Sequence, residues 1–323
     1  MVFNLPAELQ AVVADWTRIQ HEQATSAIFH DAALSFSLRP PSLNSADALY
    51  FSDATVVEQD LWKPQVHHAE LQQVEGLSVV GGLDISFRED GTGEEGIAVL
   101  AVLSFPQLRL ITKISRVISL RETPYIPSFL SFREAAPLAS LLDDLRAAGG
   151  PIPQLLFVDG NGRWHVREAG SAVAVGLLAD LPTIGVAKEY HPLLPSDLPP
   201  SASSALPPSL EDDSQAYPSD FRSSQKGMRK ATKALLQDRG DWISLRNMNG
   251  KGLGAALLSS PAPSSTNPVF VSEGHRVSLN TAMQLTLACS TTARVPEPIR
   301  QADALGRQKV KERWGHGSAT QKT

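Results

Sequence analysis

Apolar residues along this chain repeat with two different periods, and the changes between them mark its elements. Over residues 6–25, Leu9, Val12, Val13, Trp16 and Ile19 recur at steps near three and four, the spacing that lines one face of a helix. From there to about residue 73 the pattern is poor, and Pro40, Pro41, Ser42 and Asn44 predict an irregular lead-in. Apolar runs over 77–87, 97–105 and 108–120 then predict three strands with short connections, the third alternating apolar with polar residues as a half-buried strand does. Together they read as an antiparallel meander. Next come a helix at 129–148, a short buried strand at 154–158 running into Asp159-Gly160-Asn161-Gly162, a helix at 170–180 and a strand at 183–187. Further strands are predicted at 241–245, 254–258 and 268–271, and a helix at 277–289. Alternating strands and helices place the chain in the α/β class.

Clustered Pro, Ser and Asp over 191–225 interrupt this order and predict a disordered insertion. The chain therefore divides into a helical and irregular extension over 1–60, a main domain over 61–310 and a polar tail over 311–323. It shows no internal repeat. With 323 residues, 42% of them hydrophobic, it has enough apolar material for a sizeable core, which excludes a fibrous or fully disordered chain. No apolar run nears the ~18 residues that span a bilayer, and no signal pattern opens the chain, so no membrane association is expected. The lone Cys289 excludes an intrachain disulfide and a cysteine zinc site, and suits the reducing cytoplasm or nucleus. The net charge of −5 argues against binding to nucleic acid through an overall field. Its distribution weakens that argument, because residues 1–75 hold 10 acidic and 3 basic side chains, leaving the rest of the chain slightly basic.

Three carboxylates stand in apolar surroundings: Asp84 within the first long strand, Glu134 on the helix after the meander, and Asp159 at the end of the fourth strand. Taken singly, each has an ordinary reading as a turn residue or an exposed helix position. Taken together, the layout lets them converge, and converging carboxylates favour a hard divalent ion such as Mg2+ with oxygen ligands, suited to phosphodiester chemistry. His275, after a strand and before a helix, suits proton transfer or water orientation, or simply sits near a helix start. Lys188 ends a buried strand, where it meets a phosphate or reaches solvent. Pro124-Tyr125-Ile126-Pro127 is a stiff tip bearing an aromatic ring, either a wedge for separating bases or a turn whose tyrosine packs back on the core. Lys226, Arg229, Lys230 and Lys233 form a basic cluster that either steers nucleic acid or solvates a helix face.

In order along the chain, these blocks resemble the endonuclease V family. The resemblance is carried by Gly81 to Phe87 with Asp84, by Thr123 to Glu134 around the Pro-Tyr-Ile-Pro tip, and by Leu156 to Gly162 with His165 six residues past Asp159. Ile184 to Lys188, Gly274 to Ser278 and Arg294 to Pro298 supply the remaining blocks, and the whole covers roughly residues 60–310 apart from the insertion. It implies an RNase H-like fold, a mixed sheet flanked by helices. The implied activity is a Mg2+-dependent endonuclease, with Mn2+ as a substitute, that cuts the second phosphodiester 3′ to inosine or deoxyinosine and leaves 3′-hydroxyl and 5′-phosphate ends. The partner is then single-stranded RNA or DNA containing that base, serving DNA repair or inosine-RNA processing; a monomer without an obligate protein partner is the default expectation. Carried over by position, Asp84, Asp159 and Glu134 hold metal, His275 orients water and Lys188 stabilises charge at the cut phosphate. Tyr125 with Pro124, Ile126 and Pro127 forms the wedge, Leu130, Gly160 and Gly170 line the base pocket, and His165 and Arg133 support backbone or substrate contacts. Ser128 departs from the glycine the family often has directly after the wedge. Two other readings stay open: a nuclease of the same fold acting on branched DNA or unmodified RNA, and an inosine-binding protein that does not cut.

Overall fold

Along residues 97–103 successive side chains fall into two different cores. Ile97, Val99, Ala101 and Leu103 join one apolar cluster, whereas Ala98, Leu100 and Val102 join another. That two-residue alternation is what a strand covered on both faces produces. The computed structural model describes residues 7–39, 65–88, 91–193, 224–247, 249–262 and 265–315. Apart from its ends, the insertion expected at 191–225 lies outside the described residues, as do 1–6 and 40–60 of the extension, 61–64 of the main domain and 316–323 of the tail.

Eleven strands are described: β1 (Ser37–Leu38), β2 (His67–His68), β3 (Val74–Glu75), β4 (Val79–Phe87), β5 (Glu95–Ser104), β6 (Leu110–Ser119), β7 (Leu155–Asp159), β8 (Thr183–Ala187), β9 (Asp241–Arg246), β10 (Gly252–Leu257) and β11 (Val269–His275). The helices are α1 (Ala7–Ser26), α2 (Ser131–Ala147), α3 (Ser171–Ala179), α4 (Gln225–Leu235), α5 (Leu279–Cys289) and α6 (Glu297–Trp314). Nine strands form one sheet in the order β2-β9-β10-β11-β8-β7-β4-β5-β6, and β1 pairs with β3 alone. Only β4–β7 and β7–β8 run parallel. β4, β5 and β6 are the expected antiparallel meander. The result is an α/β fold with a mixed sheet flanked by helices.

Helices α2 and α3 cover one face of the sheet through Leu138, Leu142, Leu145, Ala172 and Val175, and α5 and α6 cover the other through Met283, Leu287, Ile299 and Val310. α6 lies close against β4 because Gly82 has no side chain: a Cβ there would come 2.0 Å from the Pro298 carbonyl oxygen. α4 closes a third cluster, its buried Met228 packing with Trp164, Tyr190 and Phe270. No described helix is long and apolar enough to cross a membrane.

The N-terminal segment belongs to this body. Trp16 of α1 stacks on Phe132 of α2 with ring centroids 4.5 Å apart. Beyond α1, Asp31 accepts from the Ser278 amide at 2.7 Å and from the Thr281 hydroxyl at 2.7 Å, so it shares the capping of α5 with Ser278. The lead-in contributes β1, β2 and β3 and the buried Phe36, more order than its weak periodicity predicts.

Candidate active site

The chain turns in opposite directions on either side of β4 and β7: β5 and β6 extend the sheet one way from β4, and β8 the other way from β7. Such a reversal leaves a crevice at the carboxyl ends of the strands, where ligands of open α/β sheets commonly bind. The last paired residues of β4 and β7 are Leu83 and Val158. Asp84 and Asp159 are therefore the next residue on each strand, side by side at the lip of the crevice. Alternation directs both toward the face covered by α6, the face to which Val80 and Phe157 also belong. Glu134 reaches the same crevice from the first turn of α2, on the opposite face.

All three carboxylates are in short range of one another and of a cation. Lys188, just past β8, donates from Nζ to Asp159 Oδ2 at 2.5 Å and to Asp303 Oδ2 on α6 at 3.5 Å. Burial, and then repulsion from Asp159, pushes the Asp84 carboxyl up to about 7. Burial, and then Asp84, pushes Glu134 up to about 8, against a 3.4 Å hydrogen bond from the Ser171 hydroxyl at the start of α3. For Lys188, burial works against the ammonium, but Asp159 and Asp303 outweigh it and its pKa is raised.

Among the described residues no three carboxylate, imidazole or thiol groups are preset as a metal-ligand set, and the Lys188 ammonium supplies positive charge instead. The donor chemistry nonetheless fits a hard divalent cation. Asp84, Glu134 and Asp159 offer only oxygen, from three separate elements, and the first two are destabilised as anions by burial and by each other. Asp303 is a fourth carboxylate at the site that sequence reasoning missed. Its signal is weak, because Arg307 one turn later pairs with it at 3.0 Å, the pattern of an ordinary solvated helix face.

The tip beside the crevice turns its aromatic ring outward. Tyr125 is 67% exposed, while Ile126 is buried and Phe129 anchors the turn from below. Pro124 and Pro127 flank the ring, the first half-buried and the second exposed. Arg133 lies 5.8 Å from the Tyr125 ring centroid and donates to the Gly93 carbonyl at 2.8 Å, so it ties the tip to the β4–β5 turn through backbone contact.

Ser128 adopts φ of 65°, the left-handed region that glycine enters freely and serine seldom does. Its carbonyl accepts from three side chains: Arg167 Nη2 at 2.7 Å, His165 Nε2 at 2.9 Å and Gln20 Nε2 at 3.2 Å. His165 Nδ1 in turn accepts from the Arg167 amide, which fixes the neutral imidazole with its proton on Nε2. Burial, and then Arg167, lowers the His165 pKa to about 3, consistent with that tautomer. His165 thus serves the backbone of the turn after Tyr125, and it does so with Gln20 and Arg167, neither of which sequence reasoning singled out.

Of the expected pocket residues, Leu130 is 40% exposed at the N-cap of α2. Gly160 has φ of 141°, and a Cβ there would meet nothing closer than Ser171 at 3.8 Å, which leaves open space above the loop. At Gly170 the space is already taken: a Cβ would come 2.4 Å from the Asn161 carbonyl oxygen. Its missing side chain lets the chain pack on itself.

His275 is not brought to the carboxylates. It pairs with Thr183 on β8, which pairs with Leu156 on β7, three residues before Asp159. At about 3.3 Å per residue and about 4.8 Å per strand, that places it about 14 Å from Asp159 along and across the sheet. β11 runs antiparallel to β8, so its carboxyl end lies at the far side of the sheet from the crevice. There the buried His275 ring accepts from the Ile28 amide at 3.3 Å and pins the segment after α1.

A buried group of carboxylates with a lysine, at the carboxyl edge of a mixed sheet and beside an exposed aromatic tip, is an arrangement that hydrolysis of a phosphodiester can use. Residues 60–304 match the Endonuclease V family model. Human endonuclease V is 40% identical over 241 residues, 74% of each chain, and that of the bacterium Roseiflexus castenholzii is 35% identical over 234 residues, 72% of this chain and 82% of the relative. The crystal structure of the human catalytic domain superposes with a TM-score of 0.68 at 33% identity, covering 96% of this chain and 99% of that one. Ciona intestinalis endonuclease V, solved with a 24-mer DNA containing an inosine followed by a ribo-adenosine, gives 0.66 at 26% identity over 94% and 99%. The chain belongs to the endonuclease V family of metal-dependent nucleases.

Proposed function

We propose that this protein cuts nucleic acid on the 3′ side of inosine or deoxyinosine, at the second phosphodiester, leaving 3′-hydroxyl and 5′-phosphate ends, with Mg2+ as the working ion. The observation that carries this reading is the placement of the exposed Tyr125 ring and its Arg133 clamp directly before Glu134, so that wedge and carboxylates share one end of α2. Asp84, Asp159 and Glu134 would hold the ion, with Asp303 beside them. When bound, a divalent ion supplies stabilisation for charge developing on the phosphodiester and acidifies water. The protein's own part is positional and electrostatic. Lys188 keeps a cation within reach of the phosphate, Asp159 and Asp303 hold that ammonium in place, and Tyr125 fills the gap left by a base turned out of its stack, at a cost of a few kcal/mol. The Ser128 carbonyl, held from three sides, keeps the wedge from yielding.

Support for the base comes from the Ciona protein's inosine-containing DNA, in which the nucleotide after inosine is a ribonucleotide. The test uses matched single strands of RNA, DNA and DNA with one ribonucleotide after the inosine, each with an inosine-free control, incubated with and without Mg2+. One cut, one nucleotide beyond inosine and dependent on Mg2+, is expected. Cutting of the inosine-free strands at equal rate would establish a nuclease of other specificity, and tight inosine binding without any cut would establish a non-catalytic binder.

A further inference from the structure

Two sequence blocks without a place in the site just described meet beside it. The basic cluster at 226–233 falls on α4, which carries no acidic residue and buries Met228 and Thr232, leaving Lys226, Arg229, Lys230 and Lys233 exposed. The block at 294–298 begins with Arg294, which leads toward α6. Between them lies a cavity of about 270 Å³, lined by Lys188, Arg229 and Arg294 among others, with Tyr190, Pro268 and Phe270 as its apolar wall. That is about nine times the ~30 Å³ a water takes in the liquid, enough for a phosphodiester and the adjoining sugar.

The cavity is built to hold an anion. Arg294 is fixed in place by Nη1, which donates to the Lys188 carbonyl at 3.1 Å and the Pro268 carbonyl at 2.7 Å. Arg229 approaches from the exposed side of α4. Of the lining residues Glu189 is a carboxylate, engaged by Gln225 Nε2 at 3.3 Å, and from behind the wall Asp159 also acts on Arg294 and, with Asp303, holds the Lys188 ammonium. The apolar wall of Tyr190 and Phe270, both buried, lowers the local dielectric and strengthens an arginine–phosphate contact. Lys188 belongs to both places: its side chain reaches Asp159 while its residue lines the cavity.

We propose that this cavity seats a backbone phosphate of the substrate strand next to the one being cut, held by Arg229 and Arg294. The proposal rests on the reading of the carboxylate crevice as a nuclease site. A strand whose scissile phosphate lies by Lys188 has its neighbouring phosphate in reach of the two guanidinium groups. A phosphodiester matches both their charge and their fork geometry, and unlike a free carboxylate it arrives as the next repeating unit of a strand already placed at Lys188. The contact is to backbone only, so it adds affinity without reading sequence.

The experiment measures binding of a fluorescent 20-nucleotide RNA containing one inosine by the full chain in EDTA, by anisotropy over a range of salt, and cleavage of the same RNA in Mg2+. Arg229→Gln is expected to weaken binding about tenfold and to reduce the slope of log Kd against log salt by about 0.7, the loss of one single-strand phosphate contact. KM should rise in step, with kcat within about twofold. Arg109→Gln, an exposed arginine before β6 at the far edge of the sheet, is the control and should change neither. A series of RNAs with one uncharged methylphosphonate each then locates the contact. At one linkage the wild type should fall at least to the affinity of Arg229→Gln, and the variant, which keeps only the Arg294 contact, should lose distinctly less than the wild type does. Equal effects of both arginine substitutions, or no such linkage, would overturn the proposal. If the wild type binds with the expected slopes and fails to cut, the nuclease reading falls while the phosphate seat stands. Because Arg294 also holds backbone, Arg294→Lys keeps the charge but loses the fork on two carbonyls, so its melting temperature should fall while its loss of binding stays smaller than that of Arg229→Gln.

Discussion

Replacing Asp84 by asparagine should make this protein more stable and inactive, and the size of the gain should depend on pH. The carboxyl is buried, with Asp159 as its nearest repulsive neighbour and Glu134 and Asp303 adding to the negative field. Its pKa rises from 3.8 in the unfolded chain to about 7 in the fold. Between those values the folded state binds the extra proton, so stability is greatest at low pH and falls as pH rises through the window. At about 1.4 kcal/mol per pK unit the full difference is about 4 kcal/mol above pH 7, with the attraction of Lys188 already counted in it, and sharing of the shift with Asp159 places the expected gain at about 2–4 kcal/mol. For a chain of this size that is roughly 4–8 °C in melting temperature. Asparagine keeps the shape and still accepts from Ser86, so the wild-type-minus-variant difference isolates the charge. Thermal melts at pH 4.5 and pH 8 in EDTA should show the two proteins close at the lower pH and separated at the higher. Adding Mg2+ at pH 8 should raise the wild type more than the variant. A variant no more stable than the wild type at pH 8 would refute the account of this crevice as a store of uncompensated negative charge.

Three further outcomes follow from the geometry. Tyr125→Ala should leave stability within about 0.5 kcal/mol, since the ring is exposed, while lowering kcat/KM on inosine strands at least tenfold; melting curves beside single-turnover rates check both halves. Ser128→Gly should raise stability by about 0.5–1 kcal/mol by relieving the left-handed serine, and a lower melting temperature would show that the hydroxyl contributes more than the strain removes. His275→Ala should lower the melting temperature, through loss of the acceptor for Ile28 and of buried packing, with kcat changed less than about threefold; a hundredfold loss of kcat would place the imidazole in the chemistry after all.

Strands were readable from sequence wherever both faces of the sheet are covered. Residues 97–103 must satisfy two cores at once, and a continuous apolar run results. Asp84, Asp159 and Glu134 were readable for a related reason: a carboxylate inside such a run is costly unless it has a task. Asp303 was hidden by its setting on a polar helix, where an inward carboxylate paired with Arg307 looks like any solvated position. His275 misled because a polar residue between strand and helix marks the carboxyl edge only if the strand is parallel to β4, and β11 runs the other way. Strand direction is a pairing property, absent from local pattern. Gln20 was hidden because a glutamine on a helix is ordinary until its partners are known, and they lie 108 to 149 residues away.

Those separations bear on how the chain acquires its activity during synthesis. α1 is made first, yet the amide of its buried Gln20 finds the Ser128 and Ala169 carbonyls only after residue 169 has left the ribosome. The turn that carries Tyr125 has the same dependence, since two of the three donors to Ser128 come from residues 165 and 167. A nascent chain that ends soon after α2 thus presents the Tyr125 tip with only Gln20, of the three donors, available to hold Ser128. Closing loops of this length costs chain entropy before any contact repays it. Recognition of a base is accordingly among the last properties the protein gains, and a chain interrupted before residue 165 has the tip without most of the support that holds it in place.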